Sequence, residues 1–298
     1  MTGVPWVLRS LLFVPGNRAD MIAKAGRYGA DAIILDLEDG VAPEEKDQAR
    51  RVVRAALDAG LPGKPVVWLR VNGAASGLLE MDLREGFRPG VVGVCLPKCE
   101  TGEDVLTVDV HLRILETAHG LSLGETRLLP MIESARGVVN ASAIACRHPR
   151  VCGVGFGAED YTADLGVVRT RQGEEIAYPR AAVSVAAHAA HVEAVDGIFA
   201  DFRDAEGLRA DTAAARRLGY TGKMVIHPAQ IAPVHAAFTP GPEEIAHAQR
   251  VVNAFEEARS RGSGIVVVDG AMVDRPVVLR AQRTLAIAAR SRPAGGEK

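Results

Sequence analysis

Several short apolar runs in this chain end on charged residues that can do chemistry. Residues 32–37 (AIILDL) carry Asp36 and lead into Glu38 and Asp39. The run 66–71 (VVWLRV) contains Arg70, and 127–132 (RLLPMI) meets Glu133. The run 151–156 (VCGVGF) passes through Gly157-Ala158-Glu159 to Asp160. Arg70 and Glu133 abut apolar sequence directly, where an unpaired charge is costly to bury. An inward ring of acids around one arginine is accounted for by a cation and an anionic ligand. Carboxylates from separate strands, with no His or Cys beside them, suit a hard divalent ion. Magnesium is the expected ion, with manganese as the alternative. Glu133 and Asp160 are read as its direct ligands, with Asp36, Glu38 and Asp39 holding coordinated waters behind them. The plainer alternative is that strand ends meet water and are polar for that reason. It explains any single strand better than it explains the set. The GVGFG stretch at 153–157 lacks the spacing of a dinucleotide fingerprint or a P-loop. Its glycines are expected to let backbone N–H groups approach a small carboxylate.

Positioning such residues takes a repeated unit. Short apolar runs alternate with longer helical patterns, which predicts βα units and a parallel sheet. Strands are expected at 11–14, 32–37, 66–71, 91–96, 127–132, 151–156, 197–200 (GIFA) and 223–226 (KMVI). Helices are expected at 18–28, from 43 onward, and at 104–119, 135–147, 179–192 and 205–218. Strands buried on both faces in this number point to an α/β fold of the (β/α)8 TIM-barrel type rather than a doubly wound sheet. In such a barrel the C-terminal ends of the strands share one rim. Asp36, Arg70, Lys98, Glu133, Asp160, Asp201 and His227 then all face it. His227 either touches a ligand or ends its strand before Pro228, and the second reading is preferred. Thr239-Pro240-Gly241-Pro242 reads as a boundary, giving a catalytic barrel at 1–238 and a C-terminal helical extension at 239–298. The extension predicts a helix at 243–261, a short strand at 265–268 and a helix at 276–290. It is expected to cap the barrel or to pack on a neighbouring subunit. The final Pro-Ala-Gly-Gly-Glu-Lys is expected to fray.

Composition removes other classes. The chain has 298 residues, 48% hydrophobic and 24% charged, with a formal net charge of -2. That size suits one barrel with a large aliphatic core, since aromatics make up only 4%. Nothing basic enough to bind nucleic acid stands out. The four cysteines form no Cys-x-x-Cys pair and are expected to be reduced, mostly buried thiols. The opening Met-Thr-Gly-Val-Pro-Trp does not resemble a secretory leader, and no apolar run approaches the ~20 residues of a membrane span. The expected compartment is the cytoplasm, with no membrane partner.

Taken together, the motifs resemble the citrate lyase beta-subunit family. Arg9-Ser10-Leu11-Leu12-Phe13-Val14-Pro15-Gly16 is similar to its opening, and Leu35-Asp36-Leu37-Glu38-Asp39-Gly40-Val41 to a second motif. Met131-Ile132-Glu133-Ser134 and the run from Gly157 to Gly166 (GAEDYTADLG) look like its two metal motifs. Ile226-His227-Pro228-Ala229-Gln230 also matches, so the likeness runs from about Arg9 to Gln282. The resemblance implies a carbon–carbon lyase of malyl-, citramalyl- or citryl-CoA type, releasing acetyl-CoA or propionyl-CoA and a 2-keto acid, or the reverse. It implies magnesium on Glu133 and Asp160, and Arg70 on the substrate's oxygens. It implies backbone groups of Ala158, Glu159 and Asp160 around the keto acid's carboxylate. Arg18 and Lys24 become candidates for the phosphates of coenzyme A, although they read equally well as solvated charges. Gly270-Ala271-Met272-Val273-Asp274-Arg275-Pro276 resembles the segment that carries a catalytic Asp into a neighbouring subunit's site in malyl-CoA and citramalyl-CoA lyases. The alternative for Asp274 is a helix N-cap. By the same resemblance the tail argues against a plain acyl-carrier citrate lyase subunit, and a homo-oligomer, trimer or hexamer, is implied. Other readings remain: a thioesterase on the same metal site, a lyase subunit acting on an acyl-carrier-protein thioester, an aldolase without coenzyme A, or a non-catalytic partner subunit.

Overall fold

In the computed structural model, residues 7–290 are described. The N-terminal hexapeptide and the final Pro-Ala-Gly-Gly-Glu-Lys, on which expectations were placed above, lie outside them. Parallel strands close into a barrel in chain order, with the first strand pairing with the eighth. They are β1 (Ser10–Pro15), β2 (Ala32–Asp36), β3 (Val66–Arg70), β4 (Val91–Leu96), β5 (Arg127–Ile132), β6 (Gly153–Phe156), β7 (Glu193–Asp196) and β8 (Gly222–Val225). Between them run α1 (Ala19–Ala25), α2 (Lys46–Ala59), α3 (Leu79–Gly86), α4 (Gly102–His119), α5 (Ala135–Ala145), α6 (Ala158–Leu165), α7 (Glu174–Ala189) and α8 (Ala205–Arg217). The eighth unit is completed by α9 (Ile231–Phe238). The chain is thus a (β/α)8 TIM barrel followed by further C-terminal elements.

Side chains of a strand alternate between its two faces. Leu11, Ala32, Ile34, Trp68, Cys95, Leu129, Met131, Val195 and Met224 form one buried cluster that fills the barrel. Trp68 is wholly buried there. Its ring occupies the space a side chain on Gly93 would need, within 2.7 Å of the position of a Cβ. The same alternation carries the inward face upward. Asp36 follows Ile34 by two, Arg70 follows Trp68, and Glu133 follows Met131. The charged residues of the rim are therefore the continuation of the core face.

The seventh strand is not where its sequence suggested. It is Glu193–Asp196 (EAVD), and residues 197–200 with Asp201 belong to the loop that follows. The reason lies on the outer face. Asp196 points away from the barrel and bonds Arg180 of α7 bidentately at 2.9 and 2.7 Å. Lys223, beside it in register on β8, reaches the same carboxylate and Asp211 of α8 at 2.6 Å. A buried ion cluster takes the place of the apolar outer face that marks the other strands. The helix before it also starts earlier than expected, at Glu174, and carries Pro179 inside it. The short helices α3, α6 and α9 were not anticipated.

The chain parts into two compact units at Val234/His235, inside α9 and just before the Thr239–Pro242 stretch. The second unit has its own small core. Helices α10 (Pro242–Ser260) and α11 (Arg275–Arg290) enclose an antiparallel hairpin of β9 (Val266–Val268) and β10 (Ala271–Val273). Ala248, Val251, Val252, Val268, Val273, Val278 and Ala281 are buried among them. Three cysteines are buried and Cys146 is exposed, all of them free. No helix among the described residues is long and apolar enough to cross a membrane.

Candidate active site

The rim residues meet where β2, β3, β4, β5 and β6 end. Arg70, 9% exposed, is held by Asp36 through two parallel bonds, Nε to Oδ1 at 2.7 Å and Nη2 to Oδ2 at 2.6 Å. Its third nitrogen lies 3.0 Å from Glu38 Oε2, and its guanidinium stacks 4.4 Å over the Phe13 ring. A fork–fork pair with an aromatic floor fixes both the position and the plane of the guanidinium. Asp36 also accepts the backbone N–H groups of Glu38 at 2.8 Å and Gly40 at 2.9 Å. Each of its oxygens has two partners, so its capacity is full. Asp36 therefore orients Arg70 and the turn after β2, which leaves it no lone pair for the metal-bound waters expected of it.

Glu133 is buried at the end of β5. Its Oε2 accepts the N–H of Lys98 at 2.6 Å, and among the described residues no other hydrogen bond reaches it. A side chain on Gly157 would collide with the other oxygen, so glycine keeps that side open. Gly153 and Gly155, by contrast, leave room for Leu129 and for Met224 and Met131 of the core. The glycine stretch is thus mainly a packing device, and only its last member serves the site. Burial, and then the neighbouring Asp160 carboxylate, push Glu133 up to about 7. The Lys98 N–H and the Arg70 guanidinium pull the other way without cancelling that rise.

The surrounding elements clamp this arrangement. Ser134 caps α5 by accepting the N–H of Gly137 at 3.1 Å and donates to Glu100 at 2.8 Å. Asp164 of α6 accepts the N–H of Ala135 at 2.8 Å. The turn bearing Glu133 and the helix bearing Asp160 are so tied together. Ala158, Glu159 and Asp160 form the first turn of α6, whose N-terminus has no side-chain cap. Its N–H groups are available to an anion.

Glu38 and Asp39 share a residue for which sequence reasoning had no role. The Lys98 ammonium pairs with Glu38, lies 2.9 Å from Asp39 Oδ2 and 3.5 Å from Asp160 Oδ1. Burial pushes the Glu38 carboxyl up, against the pull of Arg70 and Lys98. Asp39 is exposed, and there the pull of Lys98 outweighs burial and holds its carboxyl below the ordinary value. The available signal was positional, since Lys98 directly follows the Pro97 that ends the β4 run. Lys46 was missed as well. It is buried, and its ammonium donates to the carbonyls of Leu37 and Glu38 and to Asn72 Oδ1 at 2.7–2.9 Å.

The remaining candidates make other contacts. Arg18, just before α1, pairs with Asp20 at 3.1 Å on the surface. Lys24 lies in the last turn of α1, at the end that runs away from the rim, where positive charge suits the helix dipole. Asp201 is a loop residue whose carboxylate accepts the N–H of Arg203 at 3.1 Å. His227 lies two residues beyond β8, where its Nδ1 accepts the N–H of Ala229 at 3.2 Å and its ring stacks 4.6 Å from Phe202. In the second unit Asp274 precedes α11 and accepts the N–H of Val277 at 3.4 Å, the N-cap arrangement.

The donor set fits a magnesium ion. One open, buried carboxylate oxygen stands beside a second carboxylate, and both are hard oxygen donors. Among the described residues no cluster of three or more His, Cys, Asp or Glu side chains forms a closed metal cage.

A sequence profile of the HpcH/HpaI aldolase/citrate lyase family matches residues 9–228. Citrate lyase subunit beta of Leuconostoc mesenteroides subsp. cremoris is 40% identical over 280 residues, covering 94% of this chain and 93% of that protein. The mitochondrial citramalyl-CoA lyase of Homo sapiens is 34% identical over 296 residues, covering 94% and 85%. The crystal structure of CitE from Mycobacterium tuberculosis in complex with magnesium, acetoacetate and coenzyme A superposes with a TM-score of 0.78 at 32% identity, covering 96% of this chain and 100% of that one. Because the Leuconostoc protein aligns over nearly its whole length, the tail does not set this chain apart from citrate lyase beta subunits, contrary to expectation. A family match spanning most of the chain, with relatives at this level of identity and coverage, makes the chain a member of the HpcH/HpaI aldolase/citrate lyase family.

Proposed function

We propose that this protein is a magnesium-dependent carbon–carbon lyase. It cleaves a 3-hydroxyacyl-CoA of the malyl, citramalyl or citryl kind into acetyl-CoA or propionyl-CoA and a 2-keto acid, or runs the reverse condensation. The observation that carries the reading is Glu133: buried, open on one oxygen, beside Asp160, and facing the mouth where Arg70 is locked by Asp36. The magnesium and coenzyme A bound to the Mycobacterium tuberculosis protein support it from outside.

Glu133 and Asp160 would hold the ion, which supplies Lewis-acid polarisation of the hydroxyl and keto oxygens. The first-turn N–H groups of α6 hold the keto acid's carboxylate. Arg70 donates to the thioester oxygen. A base takes the hydroxyl proton, the carbon–carbon bond breaks, and the electron pair moves onto the thioester as an enolate. Arg70 is pre-oriented to stabilise that developing charge without reorganisation. Asp274, entering from a neighbouring copy of the chain, protonates the enolate carbon, or abstracts that proton in the condensing direction. Support for Asp274 is the likeness of its segment to citramalyl-CoA lyases. The active form is accordingly a homo-oligomer.

A second reading is a beta subunit acting on an acyl-carrier-protein thioester, favoured by the 40% identity to citrate lyase beta subunits. The purified chain is offered magnesium, acetyl-CoA or propionyl-CoA, and glyoxylate, pyruvate and oxaloacetate in turn. Condensation or cleavage abolished by EDTA supports the lyase and names the keto acid. Free CoA without a carbon–carbon event overturns it in favour of a thioesterase. Silence with CoA esters but turnover of an acyl-carrier thioester selects the second reading.

A further inference from the structure

Lys98 meets four acids of the site from two different parts of the same residue. Its N–H donates to Glu133 at 2.6 Å, and its ammonium reaches Glu38, Asp39 at 2.9 Å and Asp160 at 3.5 Å. Its backbone is left-handed, with φ 49. Few non-glycine residues adopt that region, and it persists where the surroundings over-determine it. Here the twist lets the N–H and the side chain of one residue serve carboxylates from different strand ends. A lysine that merely carried solvated charge would need no such backbone.

We infer that Lys98 is a resident counter-cation that sets the affinity of the site for its divalent ion. It gathers Glu38, Asp39 and Asp160 against their mutual repulsion and keeps them placed before an ion arrives. Its positive charge also opposes the arriving ion, so the site is ordered at the expense of tightness. This rests on the reading of Glu133 and Asp160 as the ion's ligands. Removing the ammonium makes the potential at those carboxylates more negative, so magnesium binds more tightly.

The test is calorimetric titration of magnesium chloride into the full-length protein, without substrate. Wild type is compared with Lys98→Met, Lys98→Arg and Lys98→Gly. The glycine variant suits the left-handed backbone and keeps the N–H to Glu133, so it serves where methionine strains the fold. Lys98→Met and Lys98→Gly are expected to bind magnesium about tenfold more tightly, and Lys98→Arg to stay within about threefold of wild type. Unchanged or weaker binding in both neutral variants, with wild type binding normally, overturns the role of Lys98 alone. No magnesium binding to wild type overturns the ligand assignment and this inference with it.

Discussion

At the scale of the residue, Arg70 is the clearest case of a charge prepared in advance. Its plane is set by Asp36, its depth by Phe13 and its third nitrogen by Glu38. Arg70→Ala is therefore expected to lower turnover on the order of a hundredfold or more, the scale of losing a pre-oriented electrostatic stabiliser. Arg70→Lys restores little, because an ammonium cannot make the paired bonds to Asp36. Steady-state kinetics decide it, and near-normal turnover by the alanine variant would remove Arg70 from the mechanism. Glu133→Gln keeps the acceptor for Lys98 N–H yet loses the charge. Magnesium should raise the melting temperature of wild type and leave that of Glu133→Gln unmoved. An equal rise in both would show that the ion sits elsewhere.

Elements act here by bringing charge-bearing ends to one rim and by making room. Gly157→Ala places a methyl against the open oxygen of Glu133. The barrel should still form, because the clash is confined to one side chain, while the magnesium-induced rise in melting temperature is lost. A variant that keeps that rise would mean the oxygen is not the ion's. Gly93→Ala works on the core instead. Its methyl meets the Trp68 ring, and overpacking of this kind costs about 1–3 kcal/mol. Urea unfolding should show that loss without a change in magnesium response. A stability equal to wild type would mean that the Trp68 ring can shift aside freely.

The whole molecule has a second set of buried charges on the helix side of the barrel. Arg150 bonds Asp109 at 2.5 Å and Glu116 at 2.5 and 2.7 Å, all buried. Burial pushes Glu116 up, but Arg150 and the N–H groups of Thr126 and Gly124 outweigh it, and its pKa falls from the ordinary 4.5 to about 2. A carboxyl lowered on folding stabilises the protein above its unfolded pKa and loses that contribution as pH falls through its folded one. Stability should accordingly decline between about pH 4.5 and about pH 2. Thermal unfolding across that range should show a shallower decline for Glu116→Gln, which is already destabilised at neutral pH by about 3 kcal/mol because the buried Arg150 keeps only Asp109 as a counter-charge. A parallel decline in both proteins would assign acid lability to other groups.

Much of this protein was readable from residue order alone. Alternation and apolar runs identify strands β1 to β6 and β8, because a strand buried on both faces must be apolar and a strand's faces repeat every second residue. The same arithmetic puts Asp36, Arg70 and Glu133 on the inward face at the rim, since each lies two residues beyond a core side chain. It failed at β7, where Asp196 and Lys223 put a buried ion cluster on the outer face and a loop sequence looked more strand-like than the strand. Which acid meets which base is a matter of distance across strands, and order along the chain does not carry it. Only the closed barrel decided that Asp36 belongs to Arg70, that Gly157 stands against Glu133, and that Lys98 joins four carboxylates from three strand ends. Those contacts span 24 or more residues of chain, as from Asp36 to Arg70 at a separation of 34 and from Lys98 to Glu38 at 60, and closing the sheet is what makes them neighbours.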